Sequence, residues 1–132
     1  MKYLLDTNIL VHILRNRRDV IRNLEKVGVR NCAISEISLI ELYYGAECSS
    51  DVEDGISKID ELLKWFKPLT LSSTIREACR QKAMLRQKGM LIEDYDLLIG
   101  STAITHDMVL VTENVAHMNR LSGVKIENWV ER

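Results

Sequence analysis

"YLLDTNIL", residues 3–10, decides how the rest of the chain is read. Lys2 to Leu5 reads as a short buried strand. Asp6 follows at once, then two small polar residues. Ile9, Leu10, Ile13 and Leu14 then recur at helical spacing, so a helix is expected from Thr7 to about Arg15. A strand that hands over to a helix through a carboxylate suggests an α/β chain with an acid at the end of its first strand.

The pattern repeats outward. A helix is expected over Asp19–Val27, stopped by Gly28, and a short strand over Cys32–Ile34. Ser35 caps a helix to about Cys48. Val52 to Trp65 is amphipathic, with Ile56, Ile59, Leu62, Leu63 and Phe66 inward. Pro68 to Leu71 offers a turn and a short strand. A basic helix from Ser73 to Lys88 closes at Gly89, and another helix runs from Asp94 to His106. Met108–Val111 and Val124–Ile126 complete the strands. Such alternation implies an α/β fold with a mostly parallel sheet. Parallel sheets bind ligands beyond the carboxyl ends of their strands. Asp6, Ser35 and the run Thr112-Glu113-Asn114 should therefore share one edge.

Bulk properties narrow the classes. The 132 residues, 46% apolar and 28% charged, suit one globular domain spanning 1–132 without repeats or linkers. A formal net charge of -1 gives no global signal for nucleic acid, yet it leaves room for a local basic surface. Cys32, Cys48 and Cys79 form neither a CxxC pair nor a disulfide framework, so reduced thiols are expected. No apolar run approaches the roughly 20 residues of a membrane span, and the short stretch before Asp6 does not resemble a secretory leader. A cytoplasmic chain is expected.

The acids carry the chemistry. The Asp6 carboxylate can cap the amides of Asn8 or Ile9, or it can serve a site. Glu41 lies in "EISLIELYYG", residues 36–45, where Ile37, Ile40 and Tyr44 mark one helical face and Glu41 falls on it. A carboxylate there faces the interior or a pocket and needs a metal, a cation or strong hydrogen bonds. Leu39, Leu42 and Tyr43 on other faces suggest a partner surface as well. Asp94 and Asp96 open the later helix, where acids favour the macrodipole. Two residues apart they point roughly 200° away from each other, so they should not face one pocket, and Asp94 is better placed as a cap. Thr112, Glu113 and Asn114 lie in "LVTENVAHM", residues 110–118, and also fit an ordinary polar turn.

Carboxylates that converge on one edge stay ionised together only beside a cation. Oxygen ligands suit Mg²⁺ or Mn²⁺, and His12, His106 and His117 show no zinc pattern. With no Ser or Cys nucleophile motif, water activated by such a metal is the natural attacking group, and phosphodiesters are a common substrate of such sites. Basic residues at "RNRR", residues 15–18, and at Arg76, Arg80, Lys82, Arg86 and Lys88 can bind phosphates. They fit an ordinary solvated face equally well.

"LLDTNIL", "ISEISLIELYYG", "IEDYDLLIGSTA" and "LVTENVAHMNRLSGVKIENW" occur in that order and cover nearly the whole chain. In this they resemble the PIN-domain family, in the small VapC-like class of bacterial type II toxin–antitoxin pairs. The resemblance implies a three-layer α/β/α sandwich around a short parallel sheet, and a Mg²⁺- or Mn²⁺-dependent endoribonuclease. The family's acids match Asp6, Glu41 and Asp96; Asp6 and Asp96 would hold the metal, directly or through water, and Glu41 would orient or deprotonate the attacking water or bind a second ion. Its fourth position matches Asn114, where Asn removes one charge. Thr7, Asn8, Asp94, Thr112 and Glu113 are supporting candidates. Arg15, Arg17 and Arg18 are candidates for RNA contact. Partners implied are RNA, a cognate small antitoxin, and a second copy in a homodimer, with no membrane and with DNA reached only through the antitoxin.

A receiver-like domain is a weaker reading, since Cys32-Ala-Ile34 carries no phosphoacceptor Asp and Lys125 is poorly placed. A DNA-directed nuclease of related fold and a non-catalytic PIN-like module that binds RNA or a partner remain as alternatives.

Overall fold

A computed structural model describes residues 2–132. Five short strands, β1 (Tyr3–Leu5), β2 (Cys32–Ser35), β3 (Lys67–Leu69), β4 (Val109–Val111) and β5 (Lys125–Glu127), pair in the order β3-β2-β1-β4-β5. Every pairing is parallel. The connections carry helices α1 (Thr7–Leu14), α2 (Arg18–Val27), α3 (Glu36–Glu47), α4 (Val52–Leu62), α5 (Ile75–Gln87), α6 (Asp94–Thr105) and α7 (Val115–Met118).

Alternation along the strands builds two cores. Leu5, Cys32, Ile34 and Val111 point to one face, where α1, α2 and α4 supply Ile9, Leu10, Val20, Leu24, Ile59 and Leu62. Leu4, Ala33 and Leu110 point to the other, where Leu85, Leu97, Ile99, Ala103 and Met118 of α5 to α7 cover them. The result is an α/β/α sandwich. Strands covered on both faces are apolar at successive positions rather than alternately polar, which is why they stand out in the sequence.

Gly100 shows how closely the second layer is seated: a Cβ there would meet Leu121 Cδ1 at 2.2 Å. Any side chain at this position would have to push the buried Leu121 side chain aside. Pro68 lies in β3, at one margin of the sheet, a place where a strand tolerates proline.

The sequence reading needs correction in three places. In α3, Ile40 is 49% and Tyr44 70% exposed, while Ile37, Ser38, Leu42 and Ala46 are buried. The face assigned to the interior is thus partly solvent-facing. Leu42, Leu39 and Tyr43, read as a partner surface, pack on the first core. The apolar residues of α4 and the segment after it, Ile56, Ile59, Leu62, Leu63 and Phe66, face this core as expected. The single-turn α7, too short to show a helical period, was not foreseen.

Candidate active site

Strand β1 lies between β2 and β4, so the chain leaves it at the point where the strand order reverses. Crevices form at such points, and Asp6 occupies this one. Its backbone N–H donates to Val111 C=O at 2.9 Å, which ties it to the end of β4. It is the N-cap of α1, with Oδ1 accepting from Thr7 N–H at 2.7 Å. The cap therefore goes to Thr7 rather than to Asn8 or Ile9. Oδ2 accepts from the Thr112 hydroxyl at 2.7 Å and from Asn8 Nδ2 at 3.3 Å. Capping and site membership are properties of the same carboxylate.

A line of hydrogen bonds runs from Asp6 to Asp96. Thr112 is fully buried. Its hydroxyl donates to Asp6 and accepts from Asn114 N–H at 2.9 Å. The Asn114 side-chain amide then donates to Asp96 Oδ2 at 2.9 Å, while its Oδ1 takes Nδ1 of His117 at 2.9 Å. Glu41 joins through Thr7, whose hydroxyl donates to Glu41 Oε1 at 2.6 Å. A hydroxyl has one proton and a carboxylate only accepts, so the Ser38 hydroxyl, 2.8 Å from Thr7 Oγ1, is the donor in that pair. Asp6, Glu41, Asp96, Asn114, Thr7, Asn8 and Thr112 thus form one connected group.

Two nominated residues stand apart. Asp94 pairs with Lys82 at 2.9 Å on an exposed surface, and Glu93, not Asp94, occupies the N-cap position of α6. As the 200° offset requires, it diverges from Asp96. Glu113 turns away from the acids to His12 and to Arg132, whose Nη2 is 2.6 Å from Oε2. Both partners hold its carboxyl below the usual range, the His12 contact foremost. Ser38, His12 and His117 were not nominated. Ser38 lies one helical turn before Glu41 and was findable; the histidines gave no signal beyond their neighbours.

Electrostatics mark Asp6 as the centre. Burial above all raises its pKa to about 6, the charges of Asp96 and Glu41 add to this, and the bonds from Thr112 and Thr7 oppose it. Asp96 is also raised, mainly by burial and then by Glu93, against His117 and the Asn114 amide. A cation here would relieve this repulsion. The donors fit Mg²⁺ or Mn²⁺: all are oxygens, and Asp96 Oδ1 and Glu41 Oε2 take no hydrogen bond among the described residues. Among those residues no three acidic, His or Cys side chains close into a compact cluster. A cation held by these acids would therefore keep part of its water shell, as Mg²⁺ commonly does.

The arginines divide. Arg15 lines a cavity of about 310 Å³ together with Thr7 and Glu41. Arg17 is engaged by Asp19 at 2.8 Å and by Glu131 C=O at 2.9 Å. Arg18 lines a separate cavity with Asn16, Ile21, Arg22 and Glu25, in which none of the site acids takes part. On α5, Arg80 and Lys82 pair with Glu77 and Asp94.

The sequence matches the PIN domain over residues 3–123. It is 37% identical over 132 residues to a protein of Rickettsia felis named Ribonuclease VapC2, covering 98% of both chains. It is 30% identical over 130 residues to the tRNA(fMet)-specific endonuclease VapC of Salmonella typhimurium, again covering 98% of both. Among solved structures it superposes on VapBC2 from Rickettsia felis bound to a DNA fragment from their promoter, with a TM-score of 0.91 and 34% identity, covering 98% of this chain and 100% of that one.

Proposed function

This chain belongs to the PIN-domain family, in its VapC-like branch, and we propose that it is a metal-dependent endoribonuclease restrained by a cognate small antitoxin. The observation that carries this reading is the unbroken hydrogen-bonded line from Asp6 through Thr112 and Asn114 to Asp96, with Glu41 joined through Thr7. Such a line ties three carboxylates together and leaves Asp96 Oδ1 and Glu41 Oε2 without a hydrogen bond among the described residues.

Asp6 and Asp96 would hold Mg²⁺ or Mn²⁺, with Glu41 close by. The ion, when bound, supplies Lewis acidity that stabilises negative charge on a phosphate and eases deprotonation of water. Glu41 orients the attacking water and accepts its proton through the free Oε2. The water oxygen bonds to phosphorus as the bond to the 3′ oxygen breaks, and the departing 3′ oxygen takes a proton from solvent, leaving a 5′-phosphate and a 3′-hydroxyl. Thr112 holds Asp6, and Asn114 holds Asp96, through the cycle. Arg15, beside Glu41, is the best placed of the arginines to take a neighbouring RNA phosphate.

The reading includes a homodimer, for which the exposed Ile40, Tyr44 and Tyr95 offer apolar surface. It includes operator DNA reached only through the antitoxin, as the DNA-bound VapBC relative suggests. It also includes a cytoplasmic location, in line with helices none of which, among the described residues, is long and apolar enough to cross a membrane.

The test is cleavage of total RNA by wild type and Asp96→Asn, each with Mn²⁺, with Mg²⁺ and with EDTA, with product ends mapped. Discrete metal-dependent cuts bearing 5′-phosphates, absent in the variant, are expected. A folded, antitoxin-free wild type that cuts nothing in any lane would move the assignment to a binding module.

A further inference from the structure

Glu113 is the apex of the loop between β4 and α7, and three residues from two separate parts of the chain grip it. Its backbone N–H donates to Asn8 Oδ1 at 3.2 Å. Its carboxylate takes His12 Nε2 on one oxygen, and on the other Arg132, through Nε at 3.1 Å and Nη2 at 2.6 Å. Asn8 and His12 are four residues apart on α1, so they present to the same side of that helix. α1 thus holds the loop at two points, one on its backbone and one on its side chain.

Arg132 arrives on a segment that is itself anchored. Trp129 and Val130 are buried in the first core. Glu131 N–H donates to Asp19 Oδ2 at 2.7 Å, and its C=O accepts from Arg17 at 2.9 Å. That explains why Arg17 is turned from the crevice: it locks the segment that delivers Arg132. The residues on either side of Glu113 are Thr112, which holds Asp6, and Asn114, which holds Asp96. Any rocking of the loop about its apex would move both supports at once.

We propose that Arg132 is a positioning residue for the acid site, closing a His12–Glu113–Arg132 clamp that fixes the loop carrying Thr112 and Asn114. The proposal rests on the nuclease reading for its catalytic consequence, though not for its structural one. A misplacement of about 1 Å at reacting groups can cost ~100-fold in rate, so a partly loosened loop lowers turnover while leaving RNA contacts elsewhere intact.

The test uses the full chain as wild type, Arg132→Ala, Arg132→Lys, Glu113→Gln and the double variant Glu113→Gln/Arg132→Ala. Two readouts are taken: the side-chain amide resonances of Asn114, and kcat and KM at a mapped cleavage site. Arg132→Ala is expected to shift the Asn114 amide toward the position of a free amide. It is expected to lower kcat about fivefold with KM within roughly twofold. Arg132→Lys, which keeps the charge but not the fork, recovers part of both effects. In the Glu113→Gln background, Arg132→Ala adds less than about a twofold loss, since the two residues act through one contact. An unmoved Asn114 amide in folded Arg132→Ala overturns the clamp, as does an equal loss in the two backgrounds. If wild type cuts no RNA, the nuclease reading fails, and the amide readout alone still decides the clamp.

Discussion

The two ends of the acid line are built differently. Asp6 is 2% exposed, caps a helix, bonds to β4 through its backbone and accepts three hydrogen bonds on its carboxylate. Asp96 is half-buried on the first turn of α6 and accepts one, from Asn114. Asp6 is part of how the chain folds as well as part of the site. Asp96 is added to a helix whose packing is set by other residues, Leu97, Ile99 and Ala103. One acid is thus coupled to stability and the other is nearly free of it.

The strongest way to break this comparison is to neutralise each end. Asp96→Asn should reduce cleavage at least ~100-fold, the scale of losing a group that stabilises transition-state charge. Its denaturation midpoint should stay close to that of wild type. Asp6→Asn should lose as much activity and also change how the fold responds to pH. If Asp96→Asn unfolded the chain as readily as a core substitution, the contrast would be wrong.

Thr112→Val comes next, because it attacks the join. The valine keeps the shape but deprives buried Asp6 Oδ2 of a donor and Asn114 N–H of its acceptor. A cost of about 2 kcal/mol in urea unfolding is expected, along with loss of cleavage. A neutral result would mean that the line is not a single unit.

The smallest effect sharpens the contrast through pH. In metal-free protein the Asp6 carboxyl titrates near 6 when folded, above its ordinary 3.8. Folding therefore favours its protonated form. The contribution is fully present below about pH 4 and is lost as pH rises through about 6. Wild type with EDTA should lose about 1–2 kcal/mol of stability between pH 4.5 and 7, from this group. Asp6→Asn should remove most of that slope, and Mn²⁺ should offset it near neutrality.

Much of this was legible in the sequence, for physical reasons. The three inner strands announced themselves because they are covered on both faces, and Asp6 stood out by interrupting such a run. The separation of Asp94 from Asp96 followed from helix geometry alone. The orientation of α3 did not, because Leu39, Ile40, Leu42, Tyr43 and Tyr44 make it apolar nearly all round, and periodicity has nothing to choose between. Only packing against β2 and α4 decides that Leu42 is inside and Tyr44 outside. Glu113 was grouped with its neighbours by adjacency. Its partner Arg132 lies 19 residues away, brought close by β5 running parallel to β4. No local pattern encodes that meeting.

Pro68 has a consequence for what the sheet permits. The two outer strands carry Lys67 with Pro68 on one side and Lys125 with Glu127 on the other. Charged side chains and a residue without an N–H make poor templates for a further strand. The sheet is blunted at both margins against edge-to-edge growth and fibril formation. Copies of this chain, or a partner, would therefore meet it elsewhere than along a strand edge.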